Sequence, residues 1–155
     1  MNRYRYTGLL IIRVGIGLSY IVLHGWPKLT GGPAYWEALG QNMGHLGITF
    51  APVFWGFMGA FAETAGALLV ALGLFFRPAA ALLTITMCVA VVSHLAGGEG
   101  WQVAAHALHM GTVFLGLIFI GPGRYSLDAY LYRRKAVGMY PLMPLQTAGP
   151  ATTRR

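Results

Sequence analysis

The acid most able to do chemistry in this chain lies inside a long apolar stretch. Glu63 interrupts the run "PVFWGFMGAFAETAGALLVALGLF", about 11 residues from its start, which is roughly 17 Å along a helix. A charged side chain near the centre of a bilayer costs at least about 2.5–3.5 kcal/mol. Burial favours the neutral carboxyl unless a cation pairs with it. Glu63 is therefore a candidate for proton transfer, although a neutral Glu63 could instead donate a structural hydrogen bond to a neighbouring helix.

The histidines concentrate at the ends of apolar stretches, in the part of the chain that is predicted to face outward. His94 and His109 are the candidate partners of Glu63 in proton transfer, and His106 and His109 are three residues apart, hence on one helix face. Ligand binding at the mouth of the bundle is expected from His24, Trp26, Lys28 and His106.

Three interpretations of these histidines are open. They could relay protons and hydrogen-bond the carbonyls of a lipid-soluble quinone. They could ligate a metal or haem. They could also be solvated or bonded to the backbone without further function. The metal interpretation is the weakest, because the chain has no HxxxH or HExxH spacing, and no metal site is predicted.

The composition indicates that the elements carrying these residues lie in lipid. Apolar residues make up 56% of the 155 residues and charged residues only 10%, whereas a soluble domain carries about 25% charge. The net charge of +7 does not indicate nucleic acid, because the basic residues cluster at the two ends of the chain. The single cysteine, Cys88, excludes an internal disulfide and a CxxC pair and is expected to pack in the core. The chain has no haem, iron–sulfur or nucleotide motif.

Four stretches have the length of a membrane-spanning helix. They cover about 8–24, 52–75, 78–96 and 103–120. The sequence therefore predicts an all-α fold, an integral membrane antiparallel four-helix bundle comprising residues 1–135. Between the first two spans, Trp36, Leu39, Met43 and Leu46 recur at helical spacing, which predicts a short amphipathic interfacial helix. Residues 136–155 are expected to form a C-terminal tail, disordered or bound to a partner.

The distribution of basic residues predicts the orientation. One side of the four spans carries Arg3, Arg5, Arg77, Arg124, Arg133, Arg134 and Lys135. The other side carries Lys28 and Glu99 in its two loops. We therefore expect a multi-pass protein of a bacterial cytoplasmic (inner) membrane with both termini cytoplasmic.

Small residues predict which helix faces approach one another, since close backbone contact drives packing in lipid. Gly59 and Gly66 share a face with Glu63, so this acid should point into the bundle. In the first span, Gly8 and Gly15 mark a second such face, with Gly17 beside it.

Arg13 interrupts the first span near its cytoplasmic start. Asp128 is the one acid predicted on that side of the membrane. The sequence therefore predicts a structural ion pair or hydrogen-bonded contact between Arg13 and Asp128.

Several of these features together resemble the DoxX family of small bacterial and archaeal membrane proteins. They are the arginine in the first span, "HGWPKL" at its end, "AETAGALLVALGLFFRPAA", and "GPGRYSLDAYL" after the fourth span. The resemblance covers about residues 8–132 and implies a four-span bundle. It also implies a link to membrane sulfur and quinone metabolism, as in thiosulfate:quinone oxidoreductase and terminal quinol oxidase complexes. It implies no agreed set of catalytic residues.

The leading hypothesis is a quinone- or lipophile-binding subunit of a membrane oxidoreductase complex. Glu63 with His94 or His109 would move protons, His24 and Lys28 would line the mouth, and electrons would come from a partner subunit. The alternative is a non-catalytic scaffold or accessory subunit of a larger membrane complex. A small proton-coupled transporter is a third hypothesis, which four spans support only in a dimer. Expected partners are membrane lipid and other membrane subunits or a second copy, and no nucleic acid.

Overall fold

The computed structural model describes the backbone of residues 3–139 and the side chains of residues 3–134. Within this part of the chain every regular element is helical and no strand is present. The elements are α1 (Arg3–Tyr20), a π-helical turn (Ile21–Gly25), α2 (Trp26–Leu29), α3 (Gly32–Gly40), a 3₁₀ segment (Gln41–Leu46), α4 (Pro52–Leu72), α5 (Phe76–Ala96), α6 (Gly100–Ile120) and α7 (Leu127–Met139). The all-α prediction is confirmed.

Four helical stretches are long and apolar enough to cross a membrane, as predicted. Three of them are α4, α5 and α6. The first runs unbroken from Arg3 to Leu29, because α1 continues through the π-helical turn into α2. Pro27 lies just after the π-helical turn, in the short helix α2, and the stretch continues past it to Leu29. The segment "LHGWPKL" is therefore helical throughout, and the first span ends at Leu29 and not near residue 24.

Helix α4 is the centre of the bundle. It packs against α1, α3 and α5, and α6 packs against α5. The side chains that are fully buried where these helices meet are Val70, Phe76, Leu83 and Phe114. Alanines fill the closest crossings, since Ala60, Ala67 and Ala80 have no exposed surface.

The contact between α1 and α4 depends on Gly17, which lies beside the predicted face, and not on Gly8 and Gly15. A Cβ on Gly17 would lie 2.7 Å from the Cβ of Ala71 and 2.8 Å from the carbonyl oxygen of Ala67. Nothing lies within 4 Å of the corresponding positions on Gly8 and Gly15. The prediction that Gly8 and Gly15 mark the packed face is wrong, because the helix turns its Gly17 side to α4.

The helix predicted between the first two spans is present as α3, and it contacts α4 backbone to backbone. A Cβ on Gly56 would overlap the carbonyl of Trp36, and one on Gly40 would overlap the carbonyl of Pro52. This segment is therefore held against the outer half of α4. Helix α7 extends to Met139, so the first residues of the predicted tail are helical, while residues 140–155 lie outside the described part of the chain.

Arg13 and Asp128 have different partners from those predicted. The Arg13 guanidinium is buried and donates to the carbonyl of Pro122 at 3.0 Å and to that of Tyr125. The Asp128 carboxylate accepts from the backbone N–H groups of Phe75 and Phe76, each at 3.0 Å. No direct ion pair forms between the two residues. Instead, both tie the segment after α6 back onto the bundle, Arg13 from α1 and Asp128 onto the start of α5.

Substituting Gly17 tests whether close backbone contact sets the packing of α1 on α4. We expect Gly17→Ala to destabilise the bundle by about 1–3 kcal/mol, because the new methyl group overpacks the crossing. The matched control is Gly15→Ala, two residues away in the same helix, which should change stability by less than about 0.5 kcal/mol. Thermal unfolding of the detergent-solubilised protein measures both, and equal losses would contradict the packing described here.

Substituting Asp128 separates capping of α5 from charge pairing with Arg13. Asp128→Ala should cost about 1 kcal/mol, because two N–H groups at the start of α5 lose their acceptor. Asp128→Asn keeps one acceptor oxygen and no charge, so it should retain more than half of that stability. If Asn is as harmful as Ala in the same unfolding measurement, the charge matters and the capping interpretation is wrong.

Candidate functional site

A buried ion pair joins the first span to α4. Lys28 Nζ lies 2.8 Å from each carboxylate oxygen of Glu63, so one ammonium serves both oxygens. The Glu63 side chain is 5% exposed and that of Lys28 is 24% exposed. The sequence alone does not show whether a cation pairs with Glu63. In the structure, Lys28 is that cation.

The local fold brings the two residues within reach. Gly25 is buried against α4, where a Cβ would lie 2.6 Å from Thr64 Oγ1 and 2.8 Å from Thr64 Cα. Thr64 is the residue after Glu63, so the closest approach of the two helices lies beside the ion pair. The π-helical turn that contains Gly25 also resets the register of the first span, and such turns are frequent at functional sites.

Helix α3 supports the lysine from the other side. Trp36 Nε1 donates to the backbone carbonyl of Lys28 at 2.9 Å. This carbonyl lies in the last turn of α2 and also accepts from the backbone N–H of Gly31 at 3.3 Å. The backbone contact of Trp36 with Gly56 therefore fixes both the indole and the end of the helix that carries Lys28.

A column of three rings is formed by Tyr20, His24 and His106, and His24 lies one helical turn before Lys28 in the first span. The rings of Tyr20 and His24 are 4.7 Å apart, and those of His24 and His106 are 4.8 Å apart. Tyr20 is buried and its hydroxyl lies 2.7 Å from Met87 Sδ on α5. His24 is half-buried and His106 is exposed. The column therefore connects the core of the bundle to its surface and joins the first span to α6.

We define the relay cluster as Tyr20, His24, Lys28, Glu63 and His106. Three members come from the first span at a spacing of four residues, and therefore share one face. The cluster can donate through an ammonium, accept through a carboxylate, and do either through two imidazoles. Such a set can hydrogen-bond a carbonyl compound and exchange protons with it.

The structure separates the other predicted site residues from Glu63. His94 Nδ1 lies 2.8 Å from Glu99 Oε2 at the end of α5, and His109 is exposed on α6. Within the described side chains, no hydrogen bond or ion pair connects either of these histidines to Glu63. Trp26 is 59% exposed and lies outside the core.

Two contributors were missed from the sequence. Tyr20 was missed although its spacing to His24 and Lys28 is a visible signal. Trp36 was assigned only to an amphipathic face, and no local pattern predicts its bond to the Lys28 carbonyl. The expectation that Cys88 packs in the core is wrong, because this residue is exposed on the outer surface of α5.

The histidines are also candidate metal ligands by residue type. Across the described residues, no group of three or more His, Cys, Asp or Glu side chains converges on one point. His24 and His106 form a pair whose neighbouring acid, Glu63, is engaged by Lys28.

Comparison with known proteins places these features in a family. The profile of the DoxX family matches residues 8–96, which include every member of the relay cluster except His106. The chain is similar to inner membrane protein YphA of Escherichia coli (strain K12), with 30% identity over 132 residues, 77% of this chain and 87% of that protein. No solved structure matches the chain significantly.

A double-variant cycle tests the ion pair. Lys28→Met should destabilise the protein by about 3 kcal/mol, because it leaves the buried Glu63 carboxylate without a cation. Glu63→Gln should cost less, about 1–2 kcal/mol, because the partly exposed Lys28 can still reach water. The variant with both changes should recover much of the loss, since no lone charge remains buried.

Chemical denaturation of the three variants in one detergent gives the coupling energy. Strictly additive losses in the double variant would mean that the two side chains do not interact. The matched control is Glu99→Gln, which removes an exposed acid that contacts His94 at the end of α5 and should change stability by less than about 1 kcal/mol.

Proposed function

This chain belongs to the DoxX family, and we propose that it is a multi-pass subunit of a bacterial inner membrane that binds a quinone or a related lipophilic carbonyl compound at the relay cluster. The observation that carries the proposal is the arrangement of the cluster along the first span. Lys28, which holds the buried Glu63, lies one helical turn after His24, and the ring of His24 contacts those of Tyr20 and exposed His106.

The shape of the cluster suits a flat ring. His24 and His106 already stack at 4.8 Å with an angle of 26° between their planes, and the exposed side of His106 can accept a further planar ring. The Lys28 ammonium has three protons and engages the two oxygens of Glu63, so it retains a donor for a ligand carbonyl.

A quinone supplies an electron-accepting ring that takes up two electrons and two protons on full reduction. The residues of this chain would contribute the protons and the orientation. Exposed His106 would exchange protons with water, half-buried His24 would pass them inward, and Lys28 with Glu63 would hold a carbonyl oxygen. Electrons would come from a partner subunit of the oxidoreductase complex.

This route differs from the one expected from the sequence alone. His94 and His109 are replaced by His24 and His106, because these two imidazoles stack on each other and His24 lies one turn before Lys28 in the first span. Glu63 keeps a role as an acceptor that holds Lys28. His94 is assigned to a contact with Glu99 at the end of α5.

A second candidate, the accessory subunit without chemistry, is supported by one surface feature. An apolar groove of about 560 Å³ is lined by Trp36, Ala51, Pro52, Val53, Phe54 and Phe57. The ring of Phe54 is 53% exposed, and a helix of another membrane protein could pack there. In this accessory function, a partner helix would bind in the groove without contacting the relay cluster.

Quinone titration tests the first candidate. The purified protein in detergent is titrated with a short-chain benzoquinone, and quenching of tryptophan fluorescence reports binding near Trp36. His106→Ala removes the ring on which the quinone would stack, so it should weaken binding about tenfold. Lys28→Met with Glu63→Gln should abolish measurable binding.

The matched control is His109→Ala, three residues along the same helix and outside the relay cluster, which should bind as the wild type does. Equal weakening by His106→Ala and His109→Ala would contradict the assigned site. Wild-type protein that binds no quinone but co-purifies with another membrane subunit would favour the accessory function.

A further inference from the structure

We propose that α7 and the turn before it form a binding site for anionic phospholipid headgroups at the end of the bundle opposite the relay cluster. We call the exposed residues concerned the arginine surface: Arg124, Tyr130, Leu131, Arg133 and Arg134. This assignment is independent of the proposed quinone function, because it uses no residue of the relay cluster.

The first argument is charge balance. The chain has four Asp and Glu residues, and three of them lie away from α7. Glu63 is paired with Lys28 and Glu99 with His94. Glu37 lies in α3, the helix that packs against α4. These three carboxylates therefore do not neutralise the arginine surface.

The remaining acid is engaged elsewhere. Asp128 points both carboxylate oxygens at backbone N–H groups at the start of α5, so among the described side chains no Asp or Glu forms an ion pair with Arg124, Arg133 or Arg134. These arginines are all exposed.

The geometry of these arginines suits a phosphate. Arg134 lies 5.3 Å from the centre of the Tyr130 ring, a contact that orients the guanidinium without neutralising it. Arginine binds phosphate through two parallel N–H bonds. No carboxylate side chain of the described residues engages these guanidinium groups, so a phosphodiester is an anion that they can bind.

The second argument is the apolar stripe beside these charges. Leu127, Tyr130 and Leu131 are 40%, 52% and 46% exposed, and their spacing places them on one face of α7. Arg134 continues the same face one turn further. An exposed apolar face with flanking arginines is typical of a helix that lies in the headgroup region of a bilayer.

The third argument is position. Helix α6 ends at Ile120, and Phe119 and Ile120 are 78% and 64% exposed, as expected for side chains that face acyl chains. The turn over residues 121–126 then leads directly into α7. Asp128 fixes the direction in which α7 leaves the bundle, since its backbone N–H also donates to the Gly73 carbonyl at 2.9 Å. The apolar stripe therefore follows directly on a surface suited to lipid.

Lipid titration of the full chain tests the proposal. The purified protein in a nonionic detergent is titrated with phosphatidylglycerol, or with phosphatidylcholine of the same acyl chains, and native mass spectrometry counts bound lipids. Wild type should bind phosphatidylglycerol more tightly than phosphatidylcholine. Arg133→Gln with Arg134→Gln should weaken phosphatidylglycerol binding about tenfold or more, because each basic residue near an anionic headgroup contributes to binding.

The matched control is Arg3→Gln with Arg5→Gln, which removes the same charge from the start of α1 and should retain most of the affinity. Equal losses in the two double variants would overturn the proposal in favour of diffuse attraction to a basic protein. Equal binding of the two lipids by wild type would overturn it as well. Glycerol phosphate that binds as tightly as phosphatidylglycerol would overturn the part assigned to the apolar stripe.

Both substituted arginines are exposed, so the variants should fold, and unchanged thermal unfolding without added lipid checks this. Quinone binding should be unaltered by Arg133→Gln with Arg134→Gln. The lipid experiment can therefore fail while the quinone proposal stands, and the reverse is equally true.

Discussion

The arrangement of the outer half of this protein follows from one constraint: a carboxylate buried in the bundle needs a cation. Glu63 is 4% exposed in the middle of an apolar helix, and the energy of an isolated charge there would be prohibitive. Lys28 meets this need from a helix that would end at residue 24 if it followed the apolar sequence alone. The first span must therefore remain helical through "HGWPKL" and close to α4. Gly25 makes this possible, because a Cβ there would collide with Thr64, so the ion pair depends on a position that carries no chemistry of its own.

The architecture was predictable from the sequence because it depends on patterns spread over about 20 residues. The length of a span and the side of α4 that carries small residues and Glu63 are both properties of many residues taken together, so they do not depend on any single side-chain angle. The site was only partly predictable, because it depends on individual angles. His24 and Lys28 were recognised as polar groups at the mouth, but their common face with Tyr20 is evident only if the helix continues without a break. The sequence assigned proton transfer to His109 and ligand binding to His106, and it is the rotation of α6 that places His106, not His109, against His24.

Arg13 and Asp128 do not pair with each other for a related reason. Opposite charges near one membrane face suggested a pair, yet helix ends offered each side chain several backbone partners. Arg13 has five N–H donors in a planar fork, and the carbonyls of Pro122 and Tyr125 lie in a turn that has no helical partners for them. Asp128 likewise meets two N–H groups at a helix start. Arg13 and Asp128 therefore bond to backbone groups that have no helical partner, and not to each other. The positions of such backbone groups cannot be read from the sequence.

Stability alone does not account for the ion pair. Replacing a buried pair by apolar side chains of similar size is often neutral or stabilising, so a bundle selected only for stability would gain nothing from Lys28 and Glu63. A pair that served structure alone would also be expected to be enclosed. Here exposure increases stepwise, from Glu63 at 5% to Lys28 at 24%, and the neighbouring imidazoles continue from half-buried His24 to exposed His106. A polar column that opens to the surface is costly in lipid unless something uses it, and that cost is the physical argument behind the ligand site proposed at this end of the protein.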